Sequence, residues 1–127
     1  MGYNSMIPRK RRKTDNQPTR HYSKEQEKAV AKTLGGKRQP NSGATMFAKG
    51  DVRIDSSSML IECKTKTSSA ESFSIKKSWI EKNATEALFI GKPYNALAFS
   101  FGPNEKNYYV IDEELMQILI EKLEQDL

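Results

Sequence analysis

Apolar residues in this chain recur first at the period of a helix, then of paired strands, then of a helix again, which confines the fold to a sheet packed with helices. Val30, Ala31 and Leu34 mark one helical face, and Ser23 with Gln26 resembles a capping box, so a first helix is predicted from Ser23 to the Gly35-Gly36 stop. A glycine-containing loop runs from Gly35 to about Gly50. Asp51 to Asp55 and Met59 to Lys64 read as two strands joined by the Ser56 to Ser58 turn. Ile75, Trp79, Asn83, Ala87 and Ile90 then fall at helical spacing, predicting a second helix over 74–90 before Gly91 and Pro93. Tyr94 to Phe101 and Asn107 to Ile111 flank the turn Gly102-Pro103-Asn104 as a second strand pair. Asp112 caps a last helix whose stripe is Leu115, Ile118, Leu119 and Leu123. The expected fold is α/β, a mixed β-sheet flanked by helices.

With 127 residues the chain holds one core. Its longest apolar runs are far short of the roughly 20 residues that span a bilayer, and its start lacks a secretory apolar block, so a cytoplasmic protein without membrane contact is expected. The single Cys63 allows no internal disulfide, and with the single His21 it cannot furnish a Cys/His zinc site, so any metal must sit on oxygen ligands. Residues 1–22 carry six basic groups, among them Arg9, Lys10, Arg11, Arg12 and Lys13, against Asp15 alone, which accounts for the whole net charge of +5. They read as a flexible basic arm before a folded domain over 23–127. Ser23 to Lys77 is basic and Ser78 to Leu127 acidic. That polarity suits a polyanion, most simply nucleic acid, although the arm could also be only a solubilising tail.

The chemistry-bearing pattern is Lys49-Gly50-Asp51 followed by Glu62-Cys63-Lys64. An acid-x-Lys triplet is common by chance, so its value lies in its placement. Residues two apart on a strand share a face, which puts Glu62 beside Lys64 and leaves Ile61 and Cys63 on the other side. Asp51 opens the partner strand and can meet Glu62 across the ladder. Two carboxylates brought together repel unless a cation joins them, and oxygen ligands of this kind suit Mg2+ or Mn2+. Beside a lysine, such a site could bind a scissile phosphate and activate water. The alternative is a half-exposed hairpin whose Glu62 and Lys64 are merely paired. Glu27 falls on the stripe of Val30, Ala31 and Leu34, where an uncompensated acid is costly, and becomes a third candidate carboxylate or else a stripe-edge residue. Lys37, Arg38, Ser42 and Lys49, in the loop, are placed to meet DNA phosphates. His21 reads as a surface residue and Trp79 as core.

Taken together, Glu27, Ser42-Gly43, Gly50-Asp51-Val52 and Glu62-Cys63-Lys64 resemble the restriction-endonuclease-like nuclease superfamily, whose pattern is an acid on the first helix followed by Asp and Glu-x-Lys on a hairpin. Length and element order look like the archaeal-type Holliday junction resolvases and their phage relatives, over roughly 23–101. The resemblance implies that Asp51, Glu62 and the carbonyl of Cys63 are metal ligands, that Glu27 completes the acidic site, and that Lys64 orients water or phosphate. Ser42 matches a loop serine of the resolvases, while Gly50 stands where the superfamily often has Pro. The implied activity is Mg2+-dependent hydrolysis of DNA phosphodiesters in four-way junctions during recombination and repair, by a homodimer without a small-molecule cofactor, in the host cytoplasm if phage-encoded. The last helix and Tyr94 to Phe101 are the candidate dimer surfaces. Other nicking or degradative nucleases share this core, and a non-catalytic nucleic-acid-binding protein is the alternative from another class.

Overall fold

The computed structural model describes residues 19–39 and 50–126. The basic run Arg9 to Lys13 and the loop residues Ser42 and Lys49 lie outside the described residues. Helix α1 (Thr19–Leu34) is followed by β1 (Lys37–Arg38), β2 (Val52–Ile54), a 3-10 turn (Asp55–Ser57) and β3 (Met59–Lys64). Then come α2 (Lys77–Phe89), β4 (Tyr94–Phe99), β5 (Tyr108–Val110) and α3 (Glu113–Gln125). The strands form one five-stranded sheet in the order β1-β2-β3-β4-β5. Among the described strands only β3 and β4 run parallel, because α2 intervenes and carries the chain back to the same end of the sheet. The other neighbours are antiparallel. The protein is therefore α/β, with a mixed sheet flanked by helices.

Period-2 alternation divides the core between the two faces. Val52, Ile54, Ile61, Cys63, Ala96 and Ala98 pack with Val30 of α1. Leu60 and Leu97 point the opposite way, toward the buried Asn83 and Ala87 of α2. The Asn83 side-chain amide donates to the carbonyls of Leu60 (3.3 Å) and Ala96 (3.1 Å), so α2 grips both members of the parallel pair through one residue. Burial of side chains such as Leu60, Ile61 and Leu97 contributes about 2 kcal/mol each. Asp112 caps α3, its carboxylate accepting from Leu115 N–H at 2.9 Å. Leu115 is buried, yet Met116, Leu119, Ile120 and Leu123 remain exposed, Leu123 by 66%.

Several boundaries differ from the sequence expectation. Helix α1 begins at Thr19, so the Ser23/Gln26 pair lies inside it rather than at its start, and the last residues ascribed to the arm form its first turn. No Gly or Pro stands between Thr19 and Ser23 to stop the helix propagating backward. Lys37 and Arg38, expected in a loop, pair with Arg53 and Val52. Gly36 allows that pairing: a Cβ there would come within 2.9 Å of the side chains of Val52 and Ile54. Helix α2 starts at Lys77, and β4 stops at Phe99, two residues before the expected end. Among the described residues no helix is long and apolar enough to cross a membrane.

Candidate functional site

Where β2 parts from β3, hydrogen bonds from both backbone and side chain fix Asp51. Its amide donates to the Ile61 carbonyl (3.0 Å) and its carbonyl accepts from Gln39 N–H (2.9 Å). Before it, Gly50 has φ 72, a left-handed conformation that turns the chain away from β3. The next β3 amide on that side, Cys63 N–H, thus meets no backbone carbonyl of β2; it donates to Asp51 Oδ2 at 2.7 Å. A side chain finishes the ladder in place of a strand. Proline, with φ fixed near −65°, cannot take the Gly50 conformation.

The bond from Cys63 N–H holds the Asp51 carboxylate against the end of β3, where its charge reaches Glu62. Burial pushes the Glu62 carboxyl up to about 7, with the charge of Asp51 adding to the rise and Lys64 opposing it. Lys64 Nζ lies 3.4 Å from Glu62 Oε2 and 4.6 Å from the centre of the Trp79 ring. The expected sharing of a face by Glu62 and Lys64, with Cys63 turned into the core, is what the alternation produces. Burial, together with the charges of Asp51, Glu27 and Glu62, holds the Cys63 thiol far above its ordinary range, so it stays a neutral core group and only its backbone is available to the site.

Glu27 enters from α1 and is only 8% exposed. Its pKa is raised by burial and by Asp51, while Arg38 pulls it back: Arg38 Nε donates to Glu27 Oε1 at 3.2 Å. Arg38, expected as a phosphate contact, is thus the counter-ion of the buried acid, delivered by the short strand β1. Arg38→Gln is expected to raise the Glu27 pKa further and to lower stability at pH 7 by about 1–2 kcal/mol, less than for a fully buried pair because Arg38 is partly solvated. Thermal melts at pH 5 and pH 8 check this, the deficit being larger at pH 8. Lys37 is exposed, and its charge acts on Asp55 at the other end of the hairpin.

Among the described residues no three His, Cys, Asp or Glu side chains form a cage for a metal by themselves. Glu27 is drawn to Arg38, which leaves Asp51 and Glu62 as the facing carboxylates. Their mutual repulsion and the nearby Cys63 backbone fit a hard divalent cation that takes one or two carboxylates and keeps water or phosphate oxygens for its remaining positions.

Sequence reasoning missed Gln26. Its buried side-chain amide donates to the Lys64 carbonyl (2.8 Å) and to Asn107 Oδ1 (3.0 Å), tying α1 to the end of β3 and to the segment before β5. The signal was present, since Gln26 stands one residue before a stripe glutamate, but it was absorbed by the capping reading. Trp79 is only half-buried and carries a lysine on its ring, which departs from a pure core role.

Comparison of the chain with protein-family models, with curated proteins and with solved structures finds no match.

Proposed function

We propose that the protein is a metal-dependent DNA endonuclease with a restriction-endonuclease-like core, acting on branched DNA of the four-way-junction type. The observation that carries this reading is the facing pair Asp51 and Glu62 at the parting of two strands, with the proton affinity of Glu62 raised by burial and by Asp51 and with Lys64 3.4 Å from Glu62. Structural carboxylates are seldom kept together at such electrostatic cost. A divalent cation on Asp51, Glu62 and the Cys63 carbonyl would supply Lewis acidity toward phosphate and water. Lys64 offers N–H donors to a phosphate oxygen or to the attacking water and adds positive charge where the transition state gains negative charge. Glu27, charge-balanced by Arg38, holds the α1 side of the site in place.

Two strands of a four-way junction are cut symmetrically, which calls for two sites related by a two-fold axis. The exposed stripe Met116, Leu119, Ile120 and Leu123 of α3 supports a homodimer through that helix, whereas the centre of β4, Ala96 to Ala98, is buried and flanked by strands. Light scattering is expected to report a dimer, and Leu119→Lys with Leu123→Lys to report a monomer.

The test is cleavage of a labelled four-way junction beside linear duplex, flap and single-stranded DNA, with Mg2+ or EDTA. Paired symmetric nicks in the junction, absent with Asp51→Asn and in EDTA, are the expected result. Cleavage of every substrate alike would remove junction selectivity. Binding without cleavage would replace the nuclease by a binding protein.

A further inference from the structure

Beyond Lys64 the same face of the sheet carries a row of aromatic rings that the proposed chemistry does not use. Phe73 lies 6.3 Å from Trp79 and 5.2 Å from Phe99, and Phe99 lies 5.8 Å from Tyr108. Phe101 closes the row, 5.5 Å from Phe99 and 5.8 Å from Tyr108. The rings come from the segment before α2, from α2 itself, and from the ends of β4 and β5. None is fully buried, and Tyr108 is 45% exposed.

Lysines line this row. Lys64 and Lys76 stand over Trp79 at 4.6 and 5.7 Å, Lys66 over Phe73 at 5.7 Å, and Lys106 over Tyr108 at 5.6 Å. A satellite core would close its rings away from solvent; here four ammonium groups from three parts of the chain are held on ring faces at the surface. The nearest acid on the β4–β5 connection, Glu105, is turned to the Ser69 hydroxyl.

We propose that this row is a stacking platform for unpaired nucleotides of the DNA strand that passes the candidate site. Half-exposed rings accept any base by stacking, and lysines between them meet the phosphates of the same strand. A duplex keeps its bases stacked inside and has nothing to offer the rings. Lys64 belongs to both features, which fixes where the platform begins: the strand leaves the scissile phosphate over Trp79 and runs toward Tyr108. This rests on the nuclease reading for the position of the cut, and it narrows the substrate to DNA with unpaired nucleotides next to the scissile bond, as at an opened junction centre or a flap.

Trp79 is the sole tryptophan of the chain, so its emission reports directly on the row. In EDTA, titration with oligothymidylate is expected to quench Trp79, with an apparent Kd at least tenfold below that of a duplex of equal length. An abasic oligonucleotide of the same charge should bind about tenfold more weakly than oligothymidylate and leave the emission nearly unchanged. Phe73→Leu and Tyr108→Leu, which retain apolar volume, should each weaken binding of oligothymidylate by about tenfold. An unchanged emission, or equal binding of abasic and base-bearing strands, overturns the platform even if junctions are cleaved with Mg2+. Quenching as expected, with no substrate cleaved in Mg2+ or Mn2+, upholds the platform and overturns the nuclease reading instead.

Discussion

Glu62→Gln is expected to abolish cleavage while stabilising the protein at pH 8 without divalent cations. The carboxyl is pushed from 4.5 up to about 7, chiefly by burial and next by the charge of Asp51. The folded state therefore binds more protons than the unfolded chain between pH 4.5 and 7, and stability falls as pH rises through that window. The charged form costs on the order of 3 kcal/mol above pH 7. Glutamine keeps the shape and removes the charge, so the melting temperature of the variant should exceed that of the wild type at pH 8 and match it near pH 4. Mg2+ should raise the wild-type melting temperature and leave the variant's unchanged. Loss of a group holding the metal should cost several kcal/mol of transition-state stabilisation, about a thousandfold in rate. Melts across pH 4 to 8, with and without Mg2+, check the first part, and junction cleavage the second. A variant less stable than the wild type at pH 8 would mean that the Glu62 charge is favourable to the fold, contrary to its role as one of two repelling ligands.

Gly50→Ala carries the next largest effect, on both stability and activity. A Cβ there would lie 2.7 Å from atoms of Leu60, which is fully buried and has no room to step aside. The left-handed φ of 72 adds about 1 kcal/mol of backbone strain for a non-glycine residue. A loss of about 3 kcal/mol, or a melting point lowered on the order of 10 °C, is expected. Because Asp51 follows directly, any shift that relieves the clash moves a candidate ligand, so cleavage should fall more than the remaining folded fraction explains. Val52→Ala, one residue beyond Asp51 in the core, serves as the comparison: it should lose similar stability with less effect on rate.

Element types were legible in the sequence because each carried its own period. The hairpin through Glu62 and Lys64 was readable almost to the residue, since the β2–β3 alternation is uninterrupted and Asp51 and Glu62 sit at mirror positions about the turn. What escaped reading depends on contacts distant in sequence. Arg38 looks like any loop cation until β1 carries it against the buried Glu27, and two residues are too few to show a period. Gln26 makes both of its hydrogen bonds to residues far along the chain, at Lys64 and Asn107. Trp79 falls on the apolar spacing of its helix and so reads as core; only the arrival of Lys64 from another strand gives its ring a second face. The glycine before Asp51 is visible in the letters, but its reason lies in a backbone angle that they do not carry.

The hydrogen bond from Cys63 N–H to Asp51 Oδ2 gives this protein a native spectroscopic probe. An amide whose nitrogen lies 2.7 Å from a carboxylate oxygen carries a deshielded, slowly exchanging proton, which should stand apart from the other strand amides in a nitrogen-15 correlation spectrum. Any cation that draws on the charge of Asp51 competes with that proton, so the resonance should move upfield and exchange faster as the cation is added. Occupancy of the candidate site could then be followed from a single backbone signal, without substrate and without turnover.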